Sequence, residues 1–369
     1  MTYRRSLCSG HPESFVGETI MKYSWTRVQA FRLPPIKKKY RDIWEKIRRE
    51  TVRLDQLCAI HRGLWTGTLY VYVVNEETIS EYNIEKAALR PILRGKDIKP
   101  FGFRWAGYYV LYATEAYIPD FPKRFPNAMR WLEKYKLILE RRAAVFAWGR
   151  RWWELEDPLD PKVFEVSKIL GPLFARFQSF ALDLNAQYYA LDSSVIIRKW
   201  LCVEEQMHYA ENWKKTNNHS LNVDEFIEKG RQAWRSIDSD LDSLYYILAL
   251  LNSEVLEFFF KLFSPRLVKR TRKPKKGRWY SYMPPYLNIL PIKIADKQTI
   301  LDVIRQTKTI VEETNKLLSL DQSSDEKEKK QLESEIGFLL SELNEVIFDI
   351  YSIDDIERVA IQNFVYKKR

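Results

Sequence analysis

The sequence has few of the residues that build cofactor and metal sites. Only 12 of its 369 residues are glycines, and no two of them form the Gly-x-Gly pattern of a phosphate or dinucleotide loop. Its four histidines, His11, His61, His208 and His219, show neither metal-ligand spacing nor pairing with a nucleophilic cysteine or serine. A nucleotide-binding enzyme and a histidine-based metal enzyme are therefore not indicated.

Cysteine and long hydrophobic runs are also scarce. The three cysteines, Cys8, Cys58 and Cys202, are too far apart to suggest a disulfide framework or a paired metal site. The most apolar stretch, 244–263, is interrupted by polar and charged residues, which excludes a membrane span. The first residues are polar and contain no apolar run typical of a signal peptide. We expect a reduced, cytoplasmic protein.

Positive charge is in excess. Lysine and arginine number 60 against 49 acidic residues, giving a net charge of +11 and a pI of about 9.3. The excess is compatible with a polyanionic partner, with a membrane surface, or with a basic protein that has neither. Hydrophobic residues make up 46% of the chain, enough for a real core, and the length predicts about two domains.

Strand-like and helix-like patterns alternate along the chain. Runs rich in valine, tyrosine and other strand formers predict strands at 69–74, 108–113, 168–182 and 188–198. Apolar residues at helical spacing predict helices at 36–50, 124–142 and 241–262. The first of these is expected to expose a basic face, and the last to lie in the core. Together the patterns predict an α+β fold with a mixed β-sheet and packed helices.

The C-terminal part has a different pattern. Heptad-like apolar residues at 297–318 and 327–350, separated by a short polar turn, predict an antiparallel helical hairpin. We therefore predict three segments: an N-terminal leader and basic helix (1–53), a central domain (54–295), and a C-terminal hairpin and tail (296–369).

One segment carries a concentration of positive charge without any acidic residue. It spans 264–280 and is followed by more aromatic residues. Its lysines suit phosphates, and its arginines can bind guanine edges in the major groove. We favour contact with nucleic acid over a merely solvated loop. The predicted DNA-binding residues here are Arg266, Lys269, Arg270, Arg272, Lys273, Lys275, Lys276, Arg278 and Trp279.

A second basic and aromatic segment spans 141–153. It contains Arg141, Arg142, Arg150 and Arg151 among several tryptophans. The tryptophans are expected to pack in the core, and the arginines to divide between ion pairs and phosphates. Of these, Arg150 and Arg151 are predicted to contact DNA.

Several motifs in order resemble the TaqI-like C-terminal specificity domain of adenine-N6 DNA methyltransferases and of fused restriction-modification enzymes. The most specific is Arg90-Pro-Ile-Leu-Arg-Gly-Lys-Asp-Ile98, which follows a Gly63-Leu-Trp-Thr-Gly67 turn. A Leu-Leu-Asn-Ser motif at 250–253 and a Leu-Pro-Ile strand at 290–292 come later. Near the end, Ser352 stands where the fused enzymes usually have glycine. The resemblance covers about 54–360.

The resemblance implies that residues 54–295 form a target recognition domain that binds double-stranded DNA and presents an adenine to a separate catalytic domain. That domain would use S-adenosylmethionine, so this chain is expected to hold no cofactor and to be non-catalytic by itself. The expected partner is a methyltransferase subunit, with or without a nuclease. The resemblance assigns structural roles to Gly63, Gly67, Arg94, Gly95, Asp97 and Asn252, with an Arg94–Asp97 pair holding a turn.

Two other functions remain open from the sequence. The chain could be a stand-alone or decayed DNA-binding module without a methyltransferase partner. It could also be an active methyltransferase built on Met283-Pro-Pro-Tyr286, which resembles the Asn-Pro-Pro-Tyr loop of adenine-N6 methyltransferases. Methionine lacks the amide that accepts a hydrogen bond from the adenine amine, and no donor loop is found. We therefore interpret this motif as a structural turn.

Overall fold

The computed structural model describes residues 36–216, 220–237, 242–267, 279–320 and 326–366. The fold is α+β, as predicted.

The first half of the described chain mixes short helices and strands. In order they are α1 (Arg41–Arg48), β1 (Thr51–Arg53), α2 (Leu54–Leu57), β2 (Cys58–Arg62), α3 (Leu69–Tyr72), β3 (Val73–Asn75), α4 (Glu76–Tyr82), β4 (Leu89–Leu93), β5 (Ile98–Lys99), β6 (Gly102–Phe103), β7 (Tyr108–Leu111), α5 (Phe121–Arg124), α6 (Pro126–Glu133), α7 (Lys136–Leu139) and α8 (Ala143–Trp148).

The second half begins with strands and ends with long helices. In order they are β8 (Lys168–Pro172), β9 (Phe174–Ala175), β10 (Ala181–Asp183), β11 (Tyr189–Ala190), β12 (Ser194–Lys199), α9 (Val203–Thr216), α10 (Val223–Ile237), α11 (Ser243–Leu251), α12 (Glu254–Phe263), β13 (Arg266–Leu267), β14 (Trp279–Ser281), α13 (Pro284–Leu287), β15 (Pro291–Lys293), α14 (Lys297–Ser319), α15 (Glu326–Ile350) and α16 (Asp355–Tyr366).

A four-stranded antiparallel sheet, in the order β10-β8-β12-β2, separates two hydrophobic clusters. In its centre Ile197 lies opposite Ile169, and Ile196 lies opposite Leu170. Because side chains alternate between the faces of a strand, the first pair points into one cluster and the second pair into the other. The sheet is therefore buried on both faces.

The cluster on one face, here called the helical core, is built mainly from helices. It joins Trp44 of α1, Leu248 of α11, Phe259 of α12, Ile304 of α14 and Ile347 of α15. Strand β1 also pairs with β15, which joins the beginning of the described chain to the strand that precedes α14. The predicted three-segment division of the chain stays a prediction.

The cluster on the other face, here called the β-rich core, comes mostly from residues 64–164. It is organised around the sheet β11-β4-β7-β3, in which β4, β7 and β3 pair antiparallel and β11 pairs parallel with β4. Tyr72, Tyr112 and Trp153 are among its buried aromatic side chains. The mixed sheet agrees with the predicted fold class.

The strand predicted at 69–74 is wrong in its first part. Residues 69–72 form helix α3, and only the strand β3 that follows is extended. Leu69 and Tyr70 are exposed, whereas Val71 and Tyr72 are fully buried, a spacing that does not alternate with a period of two. The Tyr72 hydroxyl donates to the carbonyls of Trp153 and Glu154, so tertiary contacts override the β propensity of this run.

The two long helices predicted in the middle of the chain are both broken. The run 124–142 turns at Tyr135, so that Leu139 is buried while Leu137 and Ile138 stay exposed. The run 241–262 is interrupted after Leu251, where Ser253 caps α12 by accepting a hydrogen bond from the Leu256 amide. Local caps and turns therefore divide both helices, which the apolar spacing alone predicted to be continuous.

The C-terminal helices α14 and α15 confirm the predicted hairpin partners, with bounds close to those expected. The turn between them lies outside the described residues. The basic helix predicted at 36–50 is also present as α1, although Ile43, Trp44 and Ile47 are buried in the helical core. Its basic residues lie on the remaining face.

Candidate nucleic-acid interface

The basic segment 264–280 begins and ends in neighbouring strands. Strand β13 pairs antiparallel with β14, with Leu267 opposite Trp279 and Arg266 opposite Tyr280. Strand β14 also pairs with β9. The described ends of the segment therefore pair as the two strands of a hairpin within a three-stranded sheet.

Most of the predicted phosphate-binding residues lie outside the described residues. This holds for Lys269, Arg270, Arg272, Lys273, Lys275, Lys276 and Arg278. Arg266 belongs to β13, and only its backbone is described. The structure therefore locates the two ends of the segment, and the roles of these side chains stay predictions.

Strand β14 is exposed at Trp279 and buried at the two residues that follow. Tyr280 is buried, and the next aromatic residue, Tyr282, stacks on Phe260 with ring centroids 4.4 Å apart. Trp279 is 47% exposed, and Phe174 of β9 is 37% exposed. Exposed aromatic rings thus lie directly beside the basic segment, where they can contact a ligand bound by its charges.

A buried ion pair supports the base of this hairpin. Glu257 and Lys261, one turn apart on α12, are paired and almost inaccessible to solvent. The Glu257 carboxylate accepts a hydrogen bond of 2.7 Å from the backbone N–H of Gln178. The Lys261 ammonium lies 5.3 Å from the Tyr280 ring centroid. Burial raises the pKa of Glu257, and the neighbouring Lys261 opposes that rise. The pair connects α12 both to the loop after β9 and to β14.

The turn at 94–97 contains the predicted arginine–aspartate pair. The Arg94 side chain donates hydrogen bonds of 2.8 and 2.9 Å to the Asp97 carboxylate, and its guanidinium lies 4.4 Å from the Tyr108 ring centroid. Gly95 approaches the backbone of Ser193 closely, because an added Cβ would lie 2.4 Å from that carbonyl oxygen. Arg94 therefore holds the turn through Asp97, and Gly95 packs the turn against the loop before β12.

The other predicted structural residues also make specific contacts. The Gly63 amide donates to the Ser194 carbonyl, and Gly67 adopts φ +73°, a conformation that favours glycine. The Asn252 side chain donates to the Phe180 carbonyl and accepts from the Phe180 amide, both at 2.9 Å. Asn252 thereby links the break between α11 and α12 to the strand that enters the central sheet.

The second basic segment, 141–153, is organised around a buried arginine. Arg142 is 7% exposed, and its guanidinium donates to four backbone carbonyls, those of Thr66, Leu139, Trp152 and Glu154. These carbonyls belong to three separate stretches of chain. Arg142 therefore holds the stretches together.

Arg150 and Arg151, predicted to contact DNA, both lie close to carboxylates. Arg151 forms an ion pair of 3.0 Å with Glu115. Arg150 lies near Asp157, whose pKa is raised by burial and lowered in part by the Arg150 charge. Glu115 precedes its partner by 36 residues in the sequence, too far for a local pattern to predict the pairing. The structure thus places much of the positive charge of this segment opposite negative charge.

A group of exposed apolar side chains, which the sequence did not reveal, surrounds this second segment. The Trp65 ring contacts the Trp148 ring edge-to-face, with centroids 6.5 Å apart, and Tyr70 contacts Tyr135 in the same way. Phe146 is also exposed. In the sequence these aromatic residues look like core residues, and only their exposure in the structure distinguishes them from the core.

The Met283-Pro-Pro-Tyr motif forms the beginning of a short helix. Met283 occupies the N-cap of α13, and the Asn288 amide donates to the Pro284 carbonyl at 2.8 Å. These contacts are those of a turn. Within the described ranges, no group of three histidine, cysteine, aspartate or glutamate residues could hold a metal ion. None of the helices described here is long and apolar enough to cross a membrane.

Comparison with known proteins gives a likeness of fold only. No protein-family profile and no curated protein sequence matches the chain. Among solved structures it is similar to the type IIL restriction-modification enzyme MmeI, determined in complex with DNA, with a TM-score of 0.51 and 10% sequence identity. It is also similar to the type IIG restriction endonuclease BpuSI, with a TM-score of 0.40 and 9% identity over 85% of this chain and 33% of that one.

The likeness to MmeI extends over most of this chain but over a minor part of the enzyme. It covers 92% of the residues here and 37% of the MmeI chain. The chain therefore has a fold found within a larger restriction-modification enzyme. The more specific resemblance to a TaqI-like domain stays a prediction.

Proposed function

We propose that this chain recognises a specific double-stranded DNA sequence as part of a restriction-modification system. The observation that carries the proposal is the likeness of fold, across 92% of the chain, to a restriction-modification enzyme whose structure was determined with DNA. A fold alone does not define a function, so the proposal also depends on the charges and aromatic rings of the chain.

The basic hairpin is the part of the chain proposed to bind DNA. It contains eight lysines and arginines between residues 264 and 280 and no acidic residue. Its ends are held by pairing with β9 and by the buried Glu257–Lys261 pair, and Trp279 is exposed beside it. Lysines would bind phosphates, while arginines reaching base edges would provide sequence discrimination.

Methyl transfer is proposed to come from a partner chain. The partner would bind S-adenosylmethionine and methylate adenine at N6, with or without a nuclease. The proposal that this chain is non-catalytic by itself is supported by its lack of a glycine-rich donor loop and by Met283 in place of asparagine. The MmeI enzyme, of which the chain spans 37%, is large enough to contain such further parts.

DNA binding is tested by changing Lys273, Lys275 and Lys276 together to glutamine. Affinity for fluorescent duplexes is measured by anisotropy over a range of salt concentrations. Each lost phosphate contact lowers the slope of log affinity against log salt by about 0.9, so the triple variant should lose about three units of slope. The loss should be similar for all duplexes, because phosphate contacts carry no sequence information.

A matched control has the same change of net charge elsewhere. Lys327, Lys329 and Lys330 are exposed at the start of α15, and their change to glutamine should leave the slope nearly intact. Equal losses in the two triple variants would show that only overall charge matters. Absence of duplex binding by the unsubstituted chain at low salt would refute the proposal.

The recognition role and the partner are tested separately. Selection from a random duplex library should enrich one sequence, and Arg270→Gln or Arg272→Gln should relax the preference if that arginine reads a base. Affinity purification from the native host, followed by mass spectrometry, should recover a chain that binds S-adenosylmethionine. Selective DNA binding without such a chain would instead favour a stand-alone or decayed module.

A further inference from the structure

A cavity of about 560 Å³ lies against the helical core. None of the residues that line it belongs to β13 or β14. Helix α1, strand β1 and helices α9 and α10 all contribute to its walls. Its size falls within the range of small-molecule sites. Its charged residues and its tryptophans are Arg48, Arg53, Glu225, Lys229, Trp44 and Trp213.

Two arginine–tryptophan stacks face this cavity. The Arg48 guanidinium lies 4.4 Å from the Trp44 ring centroid, and the Arg53 guanidinium lies 4.5 Å from that of Trp213. Stacking on indole keeps a guanidinium plane oriented while its N–H groups remain available for hydrogen bonds. The cavity thus has planar cationic groups held in place beside aromatic rings.

The charges around the cavity are unequally compensated. Arg53 is bound to the buried Asp55 carboxylate, and Lys229 forms an ion pair of 2.7 Å with Glu225. Among the described residues, no carboxylate lies within ion-pair distance of Arg48. These five side chains carry three positive and two negative charges, leaving one positive charge in excess at Arg48.

An unsatisfied donor lies in the same wall. Trp44 is 8% exposed, and its indole Nε1 has no hydrogen-bond partner within the described part of the chain. This nitrogen is inaccessible to solvent, and the Trp44 ring also stacks on Phe259, so the indole supports Arg48 by packing and does not donate to a ligand. The excess positive charge at Arg48 therefore favours an anionic ligand.

We propose that this cavity binds a nucleoside phosphate. The phosphate would interact with Arg48, and the base would lie among the aromatic and guanidinium planes, which suit a flat heterocycle. Inorganic phosphate would use only the first set of contacts and should bind more weakly. This site is independent of the proposed DNA interface, since none of its lining residues belongs to 264–280.

The experiment is a calorimetric titration of the full chain with AMP, GMP and inorganic phosphate. A nucleoside monophosphate should bind saturably and more tightly than phosphate. Arg48→Gln should weaken nucleotide binding by about tenfold or more, the usual range for a hydrogen bond to a charged group. The matched control is Arg49→Gln, which changes an exposed arginine one residue away that does not line the cavity and should bind like the unsubstituted chain.

A second variant keeps the test decisive if Arg48→Gln unfolds. Lys229→Gln, on an exposed position of α10, leaves Glu225 unpaired and brings the net charge of the five side chains to zero, so it should weaken phosphate binding without affecting the fold. No saturable binding of either nucleotide at millimolar concentration would overturn the proposal, as would equal losses with Arg48→Gln and Arg49→Gln. Displacement of the nucleotide by duplex DNA would also overturn it, by assigning the cavity to the DNA path.

Discussion

The two basic segments, 141–153 and 264–280, look alike in the sequence but differ in how far the fold buries and pairs their side chains. In 141–153, Arg142 is buried among backbone carbonyls, Arg151 pairs with Glu115, and Trp153 is 4% exposed. In 264–280, Trp279 is 47% exposed, and the paired strands β13 and β14 lie at the two ends of the run of positive charge.

The difference shows that charge density in a sequence is not the same as charge available to a ligand. Carboxylates and carbonyls brought together by the fold can engage arginines that seem unpaired in the sequence. We therefore expect the first segment to act mainly on stability and the second mainly on DNA binding.

The largest contrast concerns two tryptophans. Trp153 stacks on Phe121 with centroids 5.2 Å apart in the β-rich core, so Trp153→Ala should lower the free energy of unfolding by about 3–5 kcal/mol. Trp279→Ala should change it by less than about 1 kcal/mol, because the ring is half exposed. Urea unfolding measures both. The effect on DNA affinity, measured by anisotropy, should have the opposite order. Trp279→Ala should weaken duplex binding, whereas Trp153→Ala that remains folded should bind like the unsubstituted chain.

Neighbouring arginines in the first segment should also differ. Arg142→Ala leaves several buried carbonyls without a donor and should lower the free energy of unfolding by about 2–4 kcal/mol. Arg141 is exposed, and Arg141→Ala should change it by no more than about 0.5 kcal/mol. Equal urea midpoints for the two variants would contradict the role given to Arg142.

A third comparison uses one arginine from each segment. Arg278→Gln should reduce the salt dependence of duplex binding by about one unit of slope, the value for one phosphate contact. Arg151→Gln should reduce it much less, because Glu115 already pairs with that side chain at 3.0 Å. A larger effect at Arg151 would mean that the ion pair opens on DNA, and the contrast between the segments would then fail.

The smallest expected effect depends on pH. Burial raises the pKa of Asp157 above its ordinary value, so this carboxylate becomes neutral at a higher pH than an exposed aspartate as the pH falls. When Asp157 loses its negative charge, the positive charge of Arg150 is less well neutralised and is more available to a phosphate. The affinity lost on Arg150→Gln should therefore grow, by about two- to fivefold, between pH 7.5 and roughly pH 5. The basic run 264–280 contains no histidine or carboxylate, so Lys275→Gln should cost the same at both pH values.

The fold class and several local features were predictable because they depend on neighbouring residues. The hairpin of α14 and α15 follows from apolar spacing, and the Arg94–Asp97 turn follows from residues three apart that can bond each other. Helix α3 was not predictable, because Tyr72 is placed by contacts with residues more than 80 positions away.

The candidate DNA interface was found in the sequence, but its support was not. A run of positive charge needs no tertiary information to be recognised. The pairing of β14 with β9 and the burial of Glu257 against the Gln178 amide join residues about 80–106 positions apart, and no local pattern indicates them. The cavity at Trp44 and Arg48 was missed for the same reason, since its walls come from α1, α9 and α10.

The sequence by itself determined the α+β character, the net positive charge, the acid-free basic run and the two C-terminal helices, because composition and short-range periodicity specify these directly. Only the tertiary structure decided which arginines are engaged and which apolar side chains are exposed. The physical reason is that burial and ion pairing depend on groups distant in the chain, such as Glu115 beside Arg151, and a side chain has its full charge or its full contact surface available only where no such group meets it.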